Sequence, residues 1–312
     1  MPGFLTHYIA GRALLTSVSP EIQEFIKPSE QIYNIGTQGP DIFFYYVPGL
    51  LRKRSRGVGS LMHLCDLGPF LVQMARLTAT FEDVEEKKII FSYISGFIMH
   101  YMLDANAHPY VYARTHKNNV PKIHNSAEHR KFETALDVAM LKLFSGEKPA
   151  DYSQWTLINA PQKEMLVVST VMSQALMKIY ERNVLSKEIY KAMRYMVQFT
   201  KLLQSRSGRR KRWMEITENL TIREALYSSM VHMQTLTEAE QHNFLNTQKE
   251  PWQSPWESSQ VYSDSFVERY ELAIKEGTEM VETLYKFLFV DNTTPLDIFG
   301  NRSLKTGLTC SM

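Results

Sequence analysis

Apolar residues recur along most of the chain at intervals of three and four, the period of an α-helix with one buried face. No stretch alternates apolar and polar positions between turn signals, as a half-buried strand would. The pattern predicts an all-α fold, a single multi-helix domain over residues 1–312, with a metal-site catalytic part at 1–145 and a C-terminal helical part at 146–312. Thr6 is the expected N-cap of a helix running to about Ser17, and a short helix follows near Pro20 to Ile26. Asn34-Ile-Gly-Thr-Gln-Gly-Pro-Asp41 reads as a loop, from its glycines and proline, that delivers a carboxylate to a fixed place. Further helices are expected at roughly Gly57 to Thr80, Glu85 to Ala107, Ser126 to Phe144, Pro161 to Arg182, Ser186 to Gln204, Ile222 to Met233 and Ser263 to Phe289. The polar stretch from Gln241 to Ser263 is expected to be an ordered loop, with Trp252 and Trp256 as burial anchors.

The most apolar segment, Ile89 to Leu103, is interrupted by Ser92, Ser95, Gly96 and His100. It falls short of the roughly 20 apolar residues that span a bilayer, so it reads as a buried core helix. A chain of 312 residues with 44% apolar content can bury a substantial core. The net charge of +2 speaks against a strongly basic nucleic-acid binder, and no stable nucleic-acid binding is expected. Only Cys65 and Cys310 are present, far apart, which implies no disulfide framework and favours a reducing compartment. The N-terminus lacks the features of a secretory signal, so a cytoplasmic location is expected.

The chemistry lies in that core helix. His100, Asp104 and His108 follow one another at four-residue intervals, each step drifting only about 40° around a helix, so all three share one inward stripe. Buried and unsatisfied, each polar group would cost roughly 1 to 3 kcal/mol, and a bound cation is the natural counterpart. Gly96 lies one turn before His100 and leaves room for another element or an ion to approach. Pro109 disfavours helical geometry at His108 and suggests that the helix ends there. Seven of the nine histidines fall within the first 129 residues. The inventory of ligand types comprises His7, Asp41, His63, His100, Asp104, His108, His129 and Glu133. A lone buried histidine is more often hydrogen-bonded than metal-bound, and a His–Glu pair at i, i+4 is usually a solvated contact, so the argument rests on the set. Eight groups exceed the four ligands that zinc usually takes, which implies two or three ions.

The combination Thr6-His7, Gly36-Thr-Gln-Gly-Pro-Asp41, His63, Gly96-Phe-Ile-Met-His100-x-x-x-Asp104-x-x-x-His108-Pro109 and His129-x-x-x-Glu133 resembles the zinc-dependent phospholipase C family. The resemblance implies a first zinc held by Asp41, His63, His100 and Asp104, and a second by His108, His129 and Glu133. It also implies a third ion, toward which Asp104 bridges, held by His7 with a free terminal amine. The implied activity is metal-dependent phosphodiester hydrolysis of a phospholipid or another phosphate ester, with peripheral membrane contact but no transmembrane segment. Asp41 is the candidate catalytic residue, as ligand, base or both. Two other readings stay open: a nuclease or nucleotidase resembling the fungal single-strand nucleases, and a helical protein whose metal is only structural. Phe43, Phe44, Tyr45 and Tyr46 offer an aromatic wall for a substrate, although such runs are more often core. The basic clusters Arg52 to Arg56 and Arg206 to Arg212 read as solvated loop charges or as anchors on an anionic surface.

Overall fold

The computed structural model describes residues 3–46, 57–116, 122–149, 152–203 and 237–311. The expected helix at Ile222 to Met233 and both basic clusters lie outside the described residues. Twelve α-helices are described: α1 Phe4–Ser17, α2 Pro20–Ile26, α3 Glu30–Gly36, α4 Val58–Met62, α5 Leu67–Ala79, α6 Val84–Thr115, α7 Lys122–Ser145, α8 Gln154–Leu157, α9 Gln162–Tyr180, α10 Ser186–Leu203, α11 Glu238–Leu245 and α12 Phe266–Tyr285. Among the described residues there is no strand beyond two isolated bridges, Trp252 with Tyr262 and Arg302 with Thr309. The all-α expectation holds.

Helix α6 is the axis of the molecule. Asp83 caps it by accepting from the Glu85 and Glu86 amides, and every residue from Ile89 to Val111 is buried. Helices α1, α3, α5, α7, α9 and α12 pack around it, which is why α6 needs no polar face along its middle. Among the described residues no helix is long and apolar enough to cross a membrane.

Several local expectations are corrected, most of them by a partner distant in sequence. Helix α1 starts at Phe4, not after Thr6. Its first amides are capped from α7: Leu5 N and Thr6 N donate to the Asp137 carboxylate at 3.1 and 2.8 Å, and Thr6 Oγ1 donates at 2.6 Å. Asn34 to Gly36 are helical, and Gly39–Phe44 forms a 3₁₀ turn carrying Asp41. The helix expected from Gly57 to Thr80 is broken between Met62 and Leu67, where Asp66 takes a left-handed conformation at φ 66° and pairs with Asn301.

Helix α6 does not stop at His108 but runs through Pro109 to Thr115. Proline removes the amide that would bond the Ala105 carbonyl, and the Arg302 guanidinium donates to that carbonyl instead, at 3.3 Å. Part of the expected loop after Gln241 is helical, in α11, while Trp252 is buried as expected and donates from Nε1 to Asp264 O at 3.0 Å. The two cysteines are not free. Cys65 and Cys310 form a disulfide across 245 residues, so the reading of isolated thiols fails and takes with it the support it lent to a reducing compartment.

Candidate metal centre

All eight side chains singled out in the sequence converge. His7 arrives on the second turn of α1, Asp41 on the 3₁₀ turn, His63 at the C-cap of α4, His100, Asp104 and His108 on α6, and His129 and Glu133 on α7. Seven of them are buried, with His100 and Asp104 at 0% exposure, so water is largely excluded as a partner. Their ligand atoms fall into three groups: His7, His100 and Asp104; Asp41, His63 and His100; His108, His129 and Glu133.

Asp104 stands at the junction. Its Oδ1 lies 3.3 Å from His7 Nε2, and its Oδ2 lies 3.1 Å from His100 Nε2, 3.7 Å from His63 Nε2 and 3.9 Å from His108 Nδ1. Asp41 Oδ1 is 3.4 Å from His63 Nε2. Ligand atoms around a tetrahedral zinc with bonds of about 2.0 to 2.1 Å stand about 3.3 Å apart, so most of these separations suit neighbours that share an ion. Both ring nitrogens of His7, Asp41 Oδ1, His100 Nε2, both carboxylate oxygens of Asp104 and His108 Nε2 are buried and find no hydrogen-bond partner outside the cluster itself. Such a concentration of unmet polar atoms in one place is costly without a cation, and the donor set of imidazoles and carboxylates suits zinc.

The far sides of the rings are held. His63 Nδ1 faces Gly59 O at 2.7 Å, His100 Nδ1 faces Thr37 O at 3.1 Å, His108 Nδ1 faces Leu304 O, and His129 Nδ1 faces Thr115 Oγ1 at 3.2 Å. A proton held on Nδ1 by a carbonyl leaves the Nε2 lone pair directed inward, the tautomer that a metal requires. Gly39, at φ +50°, passes over the His100 ring so closely that a Cβ there would stand 2.4 Å from its Cδ2. His7 stacks on His100 with centroids 4.2 Å apart.

These carbonyls carry no signal in the sequence. Asp137 does carry one, since it continues the spacing His129-x-x-x-Glu133-x-x-x-Asp137, yet it holds the start of α1, and the ligand groups found among the described residues do not include it. Of the aromatic run after Asp41, Phe43 and Tyr46 are core and Tyr45 packs on Phe199. Phe44 alone is exposed, 5.6 Å from the His63 ring. Tyr112 packs 4.6 Å from His129, with Lys305 and Trp256 beyond it.

Burial pushes His7 below the ordinary imidazole range, and His108 and His129 well below it, so all three are neutral and ready to ligate near neutral pH. Burial would lower His100 too, but the charges of Asp104 and Asp41 outweigh it and raise the pKa. For the metal-free protein the sign follows. The unfolded chain takes up protons near pH 6.5 at His7, His108 and His129 while the folded chain resists, so stability is full above that pH and is lost as pH falls toward their folded values. His100 works the other way, adding stability below pH 6.5 that is lost as pH rises through its folded pKa. With three groups against one, the urea midpoint of chelator-treated protein should fall between about pH 6.5 and 5. A flat midpoint over that window would show that these rings titrate as exposed ones do.

A family model described as zinc dependent phospholipase C matches residues 4–197, a span that includes all eight ligand-type side chains. Neither a curated protein nor a solved structure matches the chain.

Proposed function

The chain belongs to the zinc-dependent phospholipase C family, and from that premise we propose that it hydrolyses a phosphodiester, with a phospholipid as the leading substrate class and the three ligand groups around Asp104 as its centre. The observation that carries this reading is the set of buried, inward-facing and unpartnered ligand atoms around Asp104, spaced as neighbours on shared ions and lying inside the family match. Asp41, His63, His100 and Asp104 would hold one zinc, and His108, His129 and Glu133 a second. His7, with Asp104, would serve a third. Bound zinc supplies Lewis acidity to a phosphate ester and makes hydroxide available near neutral pH.

The chain's own residues do the rest. Asp41 is the one carboxylate of the cluster on a 3₁₀ turn, and its buried Oδ1 has no hydrogen-bond partner, so it can accept the proton of an attacking water. The carbonyls facing Nδ1 of His63, His100 and His108 favour the ligating tautomer of those three imidazoles. Phe44 beside His63 and Tyr112 beside His129 flank the cluster and offer aromatic faces to the alcohol or lipid part of the ester. The disulfide favours an oxidising compartment over the cytoplasmic location.

The test is release of water-soluble phosphoryl headgroup from phospholipid vesicles, run beside cleavage of single-stranded DNA. Headgroup release that is abolished by a chelator and restored by zinc is expected, with two or three zinc per chain. Cleavage confined to DNA would move the protein to the nuclease reading. Bound zinc with no hydrolysis of either ester would leave a structural metal site.

A further inference from the structure

The family match ends at residue 197, yet one wall of the metal centre comes from the last residues of the chain. After the 3₁₀ turn Asp297–Phe299, residues 300–311 run across the elements that carry His63 and His108. Toward the turn after α4, Ser303 Oγ and Lys305 N both donate to the His63 carbonyl, at 3.2 and 3.1 Å. Asn301 pairs with Asp66 twice, accepting from Asp66 N at 2.8 Å and donating from Nδ2 to Oδ1 at 3.1 Å. Toward α6, Arg302 N donates to the Tyr101 hydroxyl at 2.6 Å, and its guanidinium reaches Ala105 O and Asn106 Oδ1.

Between these two attachments the Leu304 carbonyl meets His108 Nδ1. The other anchored rings take their acceptors from residues 4 to 63 positions away, whereas His108 takes its own from 196 positions away. Gly307 lies flush on α6 at φ +71°, where a Cβ would stand 2.5 Å from Ala105 O and 2.9 Å from Pro109 Cγ. Lys305 Nζ stands 5.7 Å from the centroids of Tyr112 and Trp256, and Tyr112 in turn packs on His129. The segment ends at Cys310, bonded to Cys65 two residues past His63.

We propose that residues 301–310 are a positioning strap of the metal centre, fixing the His108 ring and the His63 turn from outside, and that the Cys65–Cys310 disulfide is its fastener. The proposal rests on the metal reading above. Without Leu304 O the His108 ring can rotate and present either nitrogen, so the ligating tautomer is no longer selected. Without the disulfide the strap keeps its hydrogen bonds at the His63 turn and at α6 but loses its covalent tie, and the group of His108, His129 and Glu133 loosens because His108 leans on Leu304 O.

The experiment is a zinc competition titration against a chelator of known affinity, with the cobalt-substituted absorption spectrum as a second readout. It compares oxidised wild type with C65S/C310S and with Ser303→Ala, which removes one hydroxyl and keeps the disulfide. Both variants are expected to hold their weakest zinc about 10- to 100-fold less tightly than wild type, with a changed cobalt spectrum. A tail that only stabilises the fold would lower the denaturation midpoint of the metal-free protein and leave zinc affinity unmoved. Unchanged affinity in the folded variants overturns the strap. Should the double variant fail to fold, Ser303→Ala decides alone. If oxidised wild type itself binds no zinc, the metal reading has failed, and the strap falls with it.

Discussion

Asp104→Ala is expected to empty the metal centre and lower kcat/KM by about 10³-fold or more, equivalent to about 4 kcal/mol of transition-state stabilisation. The size of the effect follows from its place. Four imidazoles, those of His7, His63, His100 and His108, lie within 3.9 Å of its two oxygens, and the residue is completely buried. Removing it leaves Asp41 and Glu133 as the carboxylates of the three ligand groups, so dications gathered among neutral rings would lose the anion that lies between them. Burial would push the Asp104 carboxyl up, but the imidazoles of His108 and His100 beside it outweigh that and hold it well below the usual carboxylate range. Asp104→Asn separates charge from shape, because it keeps the volume and one oxygen. If the negative charge is what matters, the asparagine variant recovers little zinc, and the raised pKa of His100 falls in both variants when followed by NMR. Zinc content equal to wild type in Asp104→Ala would remove Asp104 from the centre.

How much of this was legible in the sequence depends on how far away the deciding partner lies. The stripe of His100, Asp104 and His108 is a property of one helix, so its inward direction follows from spacing alone, and the structure brings the three together as read. Gly96 was also legible as a point of close approach, and α3 is the element that approaches it. What failed was whatever a distant segment decides. Thr6 looks like a cap, but Asp137, over 130 positions away, caps the helix and makes Thr6 its ligand. Pro109 looks like a stop, but Arg302 takes up the carbonyl that proline leaves without a donor, and the helix goes on. Cys65 and Cys310 look unrelated because no local pattern records a contact across 245 residues. The last two misreadings share a cause. Residues 301–310, whose one sequence signal was the weak Asn301-Arg-Ser resemblance, supply the partners for Cys65, Asp66, Ala105 and His108.

The crossing of α3 and α6 is where fold and site are most tightly joined, and Gly96→Ala should cost about 3 kcal/mol or more of stability. A Cβ on Gly96 would stand 2.1 Å from Tyr33 O and 2.8 Å from Thr37 N, and one on Gly36 would stand 2.2 Å from Tyr93 O. These neighbours are backbone, so they cannot turn aside as a side chain can. To restore ordinary contact the helices must part by roughly 1 Å, and a misplacement of about that size at a reacting centre can cost about 10²-fold in rate. The displaced residues would be Thr37, whose carbonyl holds His100 Nδ1, Gly39 over the His100 ring, and Asp41 beyond it. Gly277→Ala is the matched control. It also lies in a helix packed on α6, but its new Cβ would meet Leu14 Cδ1 at 3.0 Å, the end of a flexible side chain, and the alanine gains helix propensity. Denaturant midpoints should therefore fall sharply for Gly96→Ala and move little for Gly277→Ala, with zinc affinity reduced only in the first. Equal stability of the two variants would mean that α3 can yield at this crossing, and the placement of Asp41 against His100 would then need another cause.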